Sequence, residues 1–280
     1  MGQPQGAPFD AAALKDVAYE VRDGVALVTL NRPHEGNALT RQMHEDLEAV
    51  WAEVKANPEI RCAIVTGAGE RHFCTGASVS GLSTDKPGSS LRNRPLEEVV
   101  RLTPYQNKVW KPVICAVNGL AAGGGLHFVV DCDIVVASQT AAFMDTHTTV
   151  GQVGAIENIG LARRMTLGGA LLMTLVGRDY RMPAERAHQL GLVDLLEPTP
   201  QAALARAFEL AESIKKNSPQ ALALSKQAIW GAMEEGYTRA AEAGWSLLRL
   251  QWSHPDFVEG PKAFGEKRAP AWNPDPDARR

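Results

Sequence analysis

Two histidines and two stretches of small residues are the features of this 280-residue sequence that could do chemistry. Residues 116–134 read AVNGLAAGGGLHFVVDCDI, in which Gly123, Gly124 and Gly125 end a small-residue loop and His127 follows as an apolar run begins. Glycines at a helix entrance clear side chains away, so that unpaired N–H groups and the positive helix end face a ligand. Such a place suits a phosphate or a developing oxyanion. No GxGxxG or GxxxxGK(S/T) pattern supports a nucleotide phosphate, and the same glycines serve tight helix–sheet packing equally well. HFCTGASV, His72 to Val79, is a second candidate, with Gly76, Ala77 and Ser78 following a strand end. An oxyanion hole needs two such donors.

The titratable groups cluster nearby in sequence. His127 falls in the first helical turn, where the helix dipole disfavours imidazolium and leaves a neutral ring able to donate or accept near pH 7. His147 lies in the polar loop FMDTHTTVGQVG, and loops off the strand ends of α/β sheets are where ligands bind. Asp145 is placed either to orient an imidazole or to cap a turn. Glu157, in AIENIG, is a further carboxylate, with a solvated helix start as its plainer reading.

The elements that must carry these groups alternate in type. VALVTL (25–30), CAIVTG (62–67), VICAV (113–117) and DIVVA (133–137) are apolar strand runs. Thr40 caps a helix in which Met43, Leu47, Val50, Trp51 and Val54 recur at helical spacing, and a further helix is expected over 96–109. This alternation predicts a largely parallel, buried sheet. Three domains of organisation are expected: a loose tail over 1–16, an α/β core over 17–199, and amphipathic helices over 200–280. TDKPGSSLRNR (84–94) has the composition of a surface loop.

Composition narrows the function. With 45% hydrophobic residues and a net charge of −3, the chain can bury a large core and shows no basic stripe for nucleic acid. Cys62, Cys74, Cys115 and Cys132 form no CxxC pair and are expected to be buried thiols, with no metal site. No signal-peptide pattern, myristoylation motif or membrane-spanning apolar run is present, which predicts a cytoplasmic protein without membrane contact.

In order and spacing, NRPHEGNAL, the FCTGAS loop, KPVICAVNGLAAGGG followed by CDIVVAS, GLVD, and DFVEGPKAFGEKRAPAW resemble the crotonase (enoyl-CoA hydratase/isomerase) family over nearly the whole chain. The resemblance implies a crotonase-like ββα spiral core with a C-terminal helical region that builds a homotrimer or a dimer of trimers. It implies an acyl-CoA thioester substrate and no cofactor beyond that CoA. The family's two oxyanion-hole amides map onto Ala77 and Gly124. Gly36, Ala38, Ser78 and Val79 would line the CoA path, and Lys267 or Arg268 would meet its phosphates.

The chain departs from the family at the acid/base positions. Hydratases of the family use two glutamates, one just after the glycine loop and one in the loop after the CDI strand; this sequence has His127 and His147 there. An imidazole keeps acid/base capacity while changing charge and reach. The resulting expectation is a hydratase, isomerase or lyase working through a stabilised enolate, with His147 as general base and His127 as its acid or positioning partner. Glu157 lies slightly further along, where sequence does not fix its reach. Some family members cleave β-diketones by a retro-Claisen reaction with a histidine in the second loop, and others are scaffolds or bind RNA; both remain as alternatives. Ala155 stands where dehalogenase and dienoyl isomerase members carry aspartate, which counts against those reactions.

Overall fold

The computed structural model describes residues 9–78 and 94–275. Val79 and all of the 84–94 loop except Arg94 therefore lie outside the described residues. Ten strands are described: β1 (Val17–Arg22), β2 (Val25–Leu30), β3 (Cys62–Gly67), β4 (His72–Cys74), β5 (Val113–Val117), β6 (Leu120–Ala122), β7 (Ile134–Ser138), β8 (Ala142–Met144), β9 (Met182–Pro183) and β10 (Leu195–Glu197). The helices are α1 (Arg41–Ala56), α2 (Leu96–Val99), α3 (Leu126–Asp131), α4 (Ile156–Arg164), α5 (Leu167–Val176), α6 (Ala184–Leu190), α7 (Pro200–Lys215), α8 (Pro219–Ala232), α9 (Tyr237–Gln251) and α10 (Asp256–Gly265).

The strands form two sheets. A six-stranded sheet runs β1-β2-β3-β5-β7-β10 and a four-stranded sheet runs β4-β6-β8-β9. Only the β1–β2 and β8–β9 pairs are antiparallel. Three times in succession the chain places one strand in the large sheet, turns, and places the next in the small sheet: β3 then β4, β5 then β6, β7 then β8. This is the expected ββα spiral. The apolar runs of β3 and β5 are buried along their whole length, as parallel strands covered on both faces require.

Successive residues of the large sheet face different layers. Leu27, Ile64, Ile114 and Val136 pack under Ala203, Ala207 and Ala211 of α7, whose spacing of four keeps one small-residue stripe on the sheet. Their neighbours Val28, Val65, Cys115 and Val135 face the other core, with Trp51, Phe73, Phe128 and Phe143. Thr40 accepts the Met43 amide and caps α1 as expected.

Two boundaries differ from the sequence expectation. From Phe9 onward the supposed tail is packed: Phe9 and Leu14 lie on the core, and Asp16 is buried and bound to Arg32. The helices expected from residue 200 begin there with α7, whose alanine stripe makes it a layer of the core. The helix expected over 96–109 stops after one turn, at Val99. The Leu102 carbonyl then accepts the Trp51 indole N–H, and Asn107 donates to the Arg101 and Thr103 carbonyls, so side chains satisfy a backbone folded into turns. No helix among the described residues is long and apolar enough to cross a membrane. All four cysteines are buried and free, and burial pushes the Cys62 and Cys74 thiols up to about 12.

Candidate active site

The small sheet assembles the site. β4, β6 and β8 lie side by side and parallel, so their carboxyl ends deliver three loops to one edge: residues 75–78, the glycine triplet, and residues 145–147. Ligands of parallel α/β sheets bind at such ends.

The three glycines divide the work that sequence left open between packing and backbone exposure. A Cβ on Gly125 would lie 2.3 Å from the Cys74 carbonyl oxygen, so this glycine permits close packing of the helix on β4. Gly123 takes φ +49° at the turn, and both it and Gly125 are buried. Gly124, between them, is partly accessible. It sits at the start of a helical turn, where N–H groups have no intrahelical partner. Across from it, Leu39 pairs with Ala77 in a parallel bridge: its N–H donates to the Gly76 carbonyl and its carbonyl accepts the Ser78 N–H. Ala77 itself is exposed and its own amide points away from that bridge. A Cβ built on Gly76 (φ +86°) would lie 2.9 Å from the Gly124 nitrogen, which shows how closely the two loops approach.

The same pairing brings in the proposed CoA-path residues. The Thr75 amide donates to the Gly36 carbonyl, so Gly36, Ala38 and Ser78 run beside Ala77. Asn37, fully buried, holds that strip in place: its Oδ1 accepts the Arg32 N–H and its Nδ2 donates to the Ala68 and His72 carbonyls. Lys267 is exposed just beyond α10. Arg268, the alternative phosphate partner, is engaged by Glu259 and Glu266.

The titratable side is a chain of contacts. His147 Nδ1 is 2.6 Å from Asp145 Oδ1, and His147 Nε2 is 3.0 Å from Glu157 Oε1. The other oxygen of Glu157 lies 3.4 Å from His127 Nε2. Glu157 therefore reaches the site, between both imidazoles, and is not a solvated helix start. It gets there because α4 lies tightly across α3: a Cβ on Gly160 would fall 2.5 Å from the Val130 side chain. His147 also borders the glycine triplet, since a Cβ on Gly123 would be 3.7 Å from its Cε1. The glycine loop and both imidazoles thus lie together.

Each environment biases protonation. The Asp145 hydrogen bond holds His147 above its ordinary value despite partial burial, with the Glu157 charge adding to it. Burial acts against the Asp145 carboxylate, yet donors from His147 and Asn158 hold it below the usual range. Burial lowers His127, against the attraction of Glu157 and Asp131. Burial, rather than the helix dipole, is what lowers it. With Asp145 ionised, His147 Nδ1 must carry a hydrogen. Its Nε2 then faces Glu157 Oε1 within hydrogen-bond distance.

Residues 20–275 match the model of the enoyl-CoA hydratase/isomerase family. The chain belongs to that family. It is 38% identical over 262 residues to the (E)-benzylidenesuccinyl-CoA hydratase of Thauera aromatica, covering 91% of this chain and 98% of that protein. It is 32% identical over 265 residues to the short-chain-enoyl-CoA hydratase of Clostridium acetobutylicum, covering 91% and 96%. Among solved structures, an enoyl-CoA hydratase/isomerase from Mycobacterium paratuberculosis superimposes with a TM-score of 0.84 at 33% identity, covering 94% of this chain and all of that one. An acyl-CoA hydratase/isomerase activity follows at the family level.

Within this family site, several residues escaped the sequence reading. Asn158 Nδ2 donates to Asp145 Oδ2 at 2.7 Å and to Thr174 at 2.6 Å. Its position next to Glu157 on a helix start was the available signal. Gln106, Asp131 and Thr103 stand behind His127, and the helix expected over 96–109 hid two of them. Among the described residues, no group of three or more His, Cys, Asp or Glu side chains is arranged to hold a metal ion.

Proposed function

We propose that this chain hydrates the double bond of a 2-enoyl-CoA, with His147 and Glu157 as the proton-transfer pair. The contact chain Asp145–His147–Glu157, beside the closely approaching loops that carry Ala77 and Gly124, supports this reading. The Ala77 and Gly124 N–H groups hold the thioester oxygen as it becomes enolate-like. His147 Nε2 removes a proton from water while the water oxygen bonds to the β-carbon. Glu157, as the acid, delivers its proton to the α-carbon and collapses the enolate. The proton gained by His147 then passes to Glu157 along their hydrogen bond, which restores the starting state with one water consumed. His127 is the positioning partner that holds the second oxygen of Glu157. Gly36, Ala38, Ser78, Val79 and Lys267 are assigned to the CoA path.

The substrate named by the Thauera aromatica relative makes an aryl-substituted enoyl-CoA the substrate to test alongside crotonyl-CoA. The test is turnover of crotonyl-CoA and benzylidenesuccinyl-CoA by the wild-type chain, with mass spectrometry of the products. A product heavier by one water supports hydration. Binding of neither CoA ester, with cleavage of a β-diketone instead, would replace this reading by the retro-Claisen one, which the Asp145-held imidazole favours as an activator of water. We also assign the exposed apolar face of α4 and α5 (Ile159, Leu167, Leu171, Leu172, Leu175) to self-association, as a trimer or dimer of trimers; light scattering reads the mass directly.

A further inference from the structure

Behind His127 lies a group of buried polar side chains that the proton-transfer scheme does not use. Gln106 is its centre. The side-chain Oε1 of Gln106 accepts two main-chain N–H groups, from Leu102 at 2.8 Å and Thr103 at 3.2 Å. Main-chain N–H groups can only donate, so the atom they meet is oxygen and the amide cannot be turned over. Its Nε2 then faces the site and has two hydrogens to give. One goes to Asp131 Oδ2 at 3.0 Å, and the other points at His127 Nδ1, 3.2 Å away. Asp131 is itself held by the Thr103 hydroxyl at 2.6 Å. Nothing in this network can reverse without leaving a buried donor against a donor.

We infer that Gln106 is a positioning residue that locks His127 in the tautomer bearing hydrogen on Nε2, so that His127 serves Glu157 as a fixed donor and never as a base. The inference deepens the proposed function and rests on it for its catalytic meaning. A lone pair is required at Nδ1 to accept from Gln106. The ring's one hydrogen is therefore on Nε2, directed at Glu157 Oε2. Protonating His127 would set an N–H against the Gln106 N–H, which burial of the ring already disfavours. The titratable groups facing this ring are Glu157, Asp131, His147 and His44. The two carboxylates attract a proton on the ring, while the two imidazoles oppose it. The Gln106 donor decides which nitrogen is excluded from taking it.

Two measurements test this on the full chain. The first is the imidazole nitrogen–hydrogen correlation spectrum of the resting, nitrogen-15 histidine-labelled protein, with His127 assigned by loss of its signals in His127→Gln. The expected pattern is a single tautomer, hydrogen on Nε2, unchanged across the range in which His147 titrates. Hydrogen on Nδ1, or a ring that titrates together with His147, overturns the inference. The second uses Gln106→Glu at a pH where the new carboxyl is ionised; it keeps the acceptor for Leu102 and Thr103 but offers oxygen to Nδ1 and sets a like charge against Asp131. It should move the His127 hydrogen to Nδ1 and lower kcat roughly ten- to a hundredfold, the scale on which partners that orient a ligating histidine act, with KM little changed. A folded Gln106→Glu protein with the wild-type tautomer and kcat overturns the role. If that variant does not fold, Gln106→Met removes the donor without adding charge, and loss of the single-tautomer pattern is then the expected result; its persistence counts against the inference. The wild-type spectrum needs no substrate, so it separates the outcomes. Absence of acyl-CoA turnover with the expected tautomer sinks the proposed reaction alone, whereas turnover with hydrogen on Nδ1 sinks the tautomer assignment alone.

Discussion

His127 and His147 reach the two oxygens of one carboxylate, yet what stands behind each ring differs. Behind His147 is Asp145, an acceptor held below the usual carboxylate range, and the ring is held above its ordinary value. Behind His127 is Gln106, a neutral donor, in a pocket that leaves the ring 7% exposed and lowers it. A histidine backed by an acceptor gains a proton readily and presents Nε2 to solvent and substrate; one backed by a donor is kept neutral. Two residues of the same type are thereby given unlike surroundings by neighbours of unlike polarity. Groups whose surroundings push them apart are the ones to which acid and base roles can be assigned.

The largest expected effect is therefore at His147. Replacing it by Ala removes the group assigned to deprotonate water, and kcat should fall roughly a thousandfold. His147 is also the imidazole partner of two buried carboxylates, Asp145 and Glu157, so the thermal midpoint should fall as well, and the loss of rate is read on the folded protein. A His147→Ala protein that turned over enoyl-CoA at the wild-type rate would abolish the contrast between the rings and the proposed reaction with it.

The amide side of the site sharpens the contrast, because it contains no group that titrates near neutrality. Gly76→Ala forces a side chain into a left-handed backbone, which costs about 1–2 kcal/mol on its own, and sets a Cβ 2.8 Å from the Ala122 carbonyl and 2.9 Å from the Gly124 nitrogen. The loops must part, and the two amides no longer converge on one oxygen. We expect kcat to drop roughly a hundredfold and the thermal midpoint to fall. The pH dependence of the residual rate should stay where it is in the wild type, whereas residual activity in His147→Ala should lose the limb that His147 supplies. A shifted pH profile in Gly76→Ala would mean that the two sides of the site are not separable.

That division also explains what could be read from the sequence. The small-residue loops are written locally: GGG before a helix and TGAS after a strand leave open whether they serve packing or exposed N–H groups, and in the fold the two loops do approach closely. The strands VALVTL and CAIVTG were legible to the residue, because buried parallel strands need unbroken apolar runs. The acid/base side depends on contacts between elements distant in sequence. Glu157 reaches both rings only because Gly160 lets α4 cross α3 closely, and a glycine in a helix has no single meaning in sequence. Gln106 fell inside a stretch expected to be helical up to residue 109. There, tertiary partners for the backbone, among them the Trp51 indole, overrode local propensity. The alanine stripe of α7 likewise looked like any amphipathic helix until the sheet beneath it was known.

The smallest expected effect, and the most diagnostic of what backs His147, is at Asp145. Asp145→Asn should lower kcat about tenfold, in line with loss of an orienting partner, and move the His147 midpoint down, so that the free base persists to lower pH and the acid limb of the rate profile follows it. The sign of the stability change follows from the same pair. His147 is raised from its ordinary 6.5, so its contribution is full below 6.5 and is lost as pH rises through its value in the folded protein. Asp145 is lowered from its ordinary 3.8, so its contribution is present above 3.8 and is lost as pH falls through its own lowered value. The ion pair therefore stabilises the fold most between about 3.8 and 6.5. The gap in unfolding free energy between wild type and Asp145→Asn, measured by denaturant titration at several pH values, should peak in that window and narrow above it. A gap that instead widened steadily toward alkaline pH would show that His147 is not held by an ionised Asp145, and the contrast between the two imidazoles would then rest on burial and on Gln106 alone.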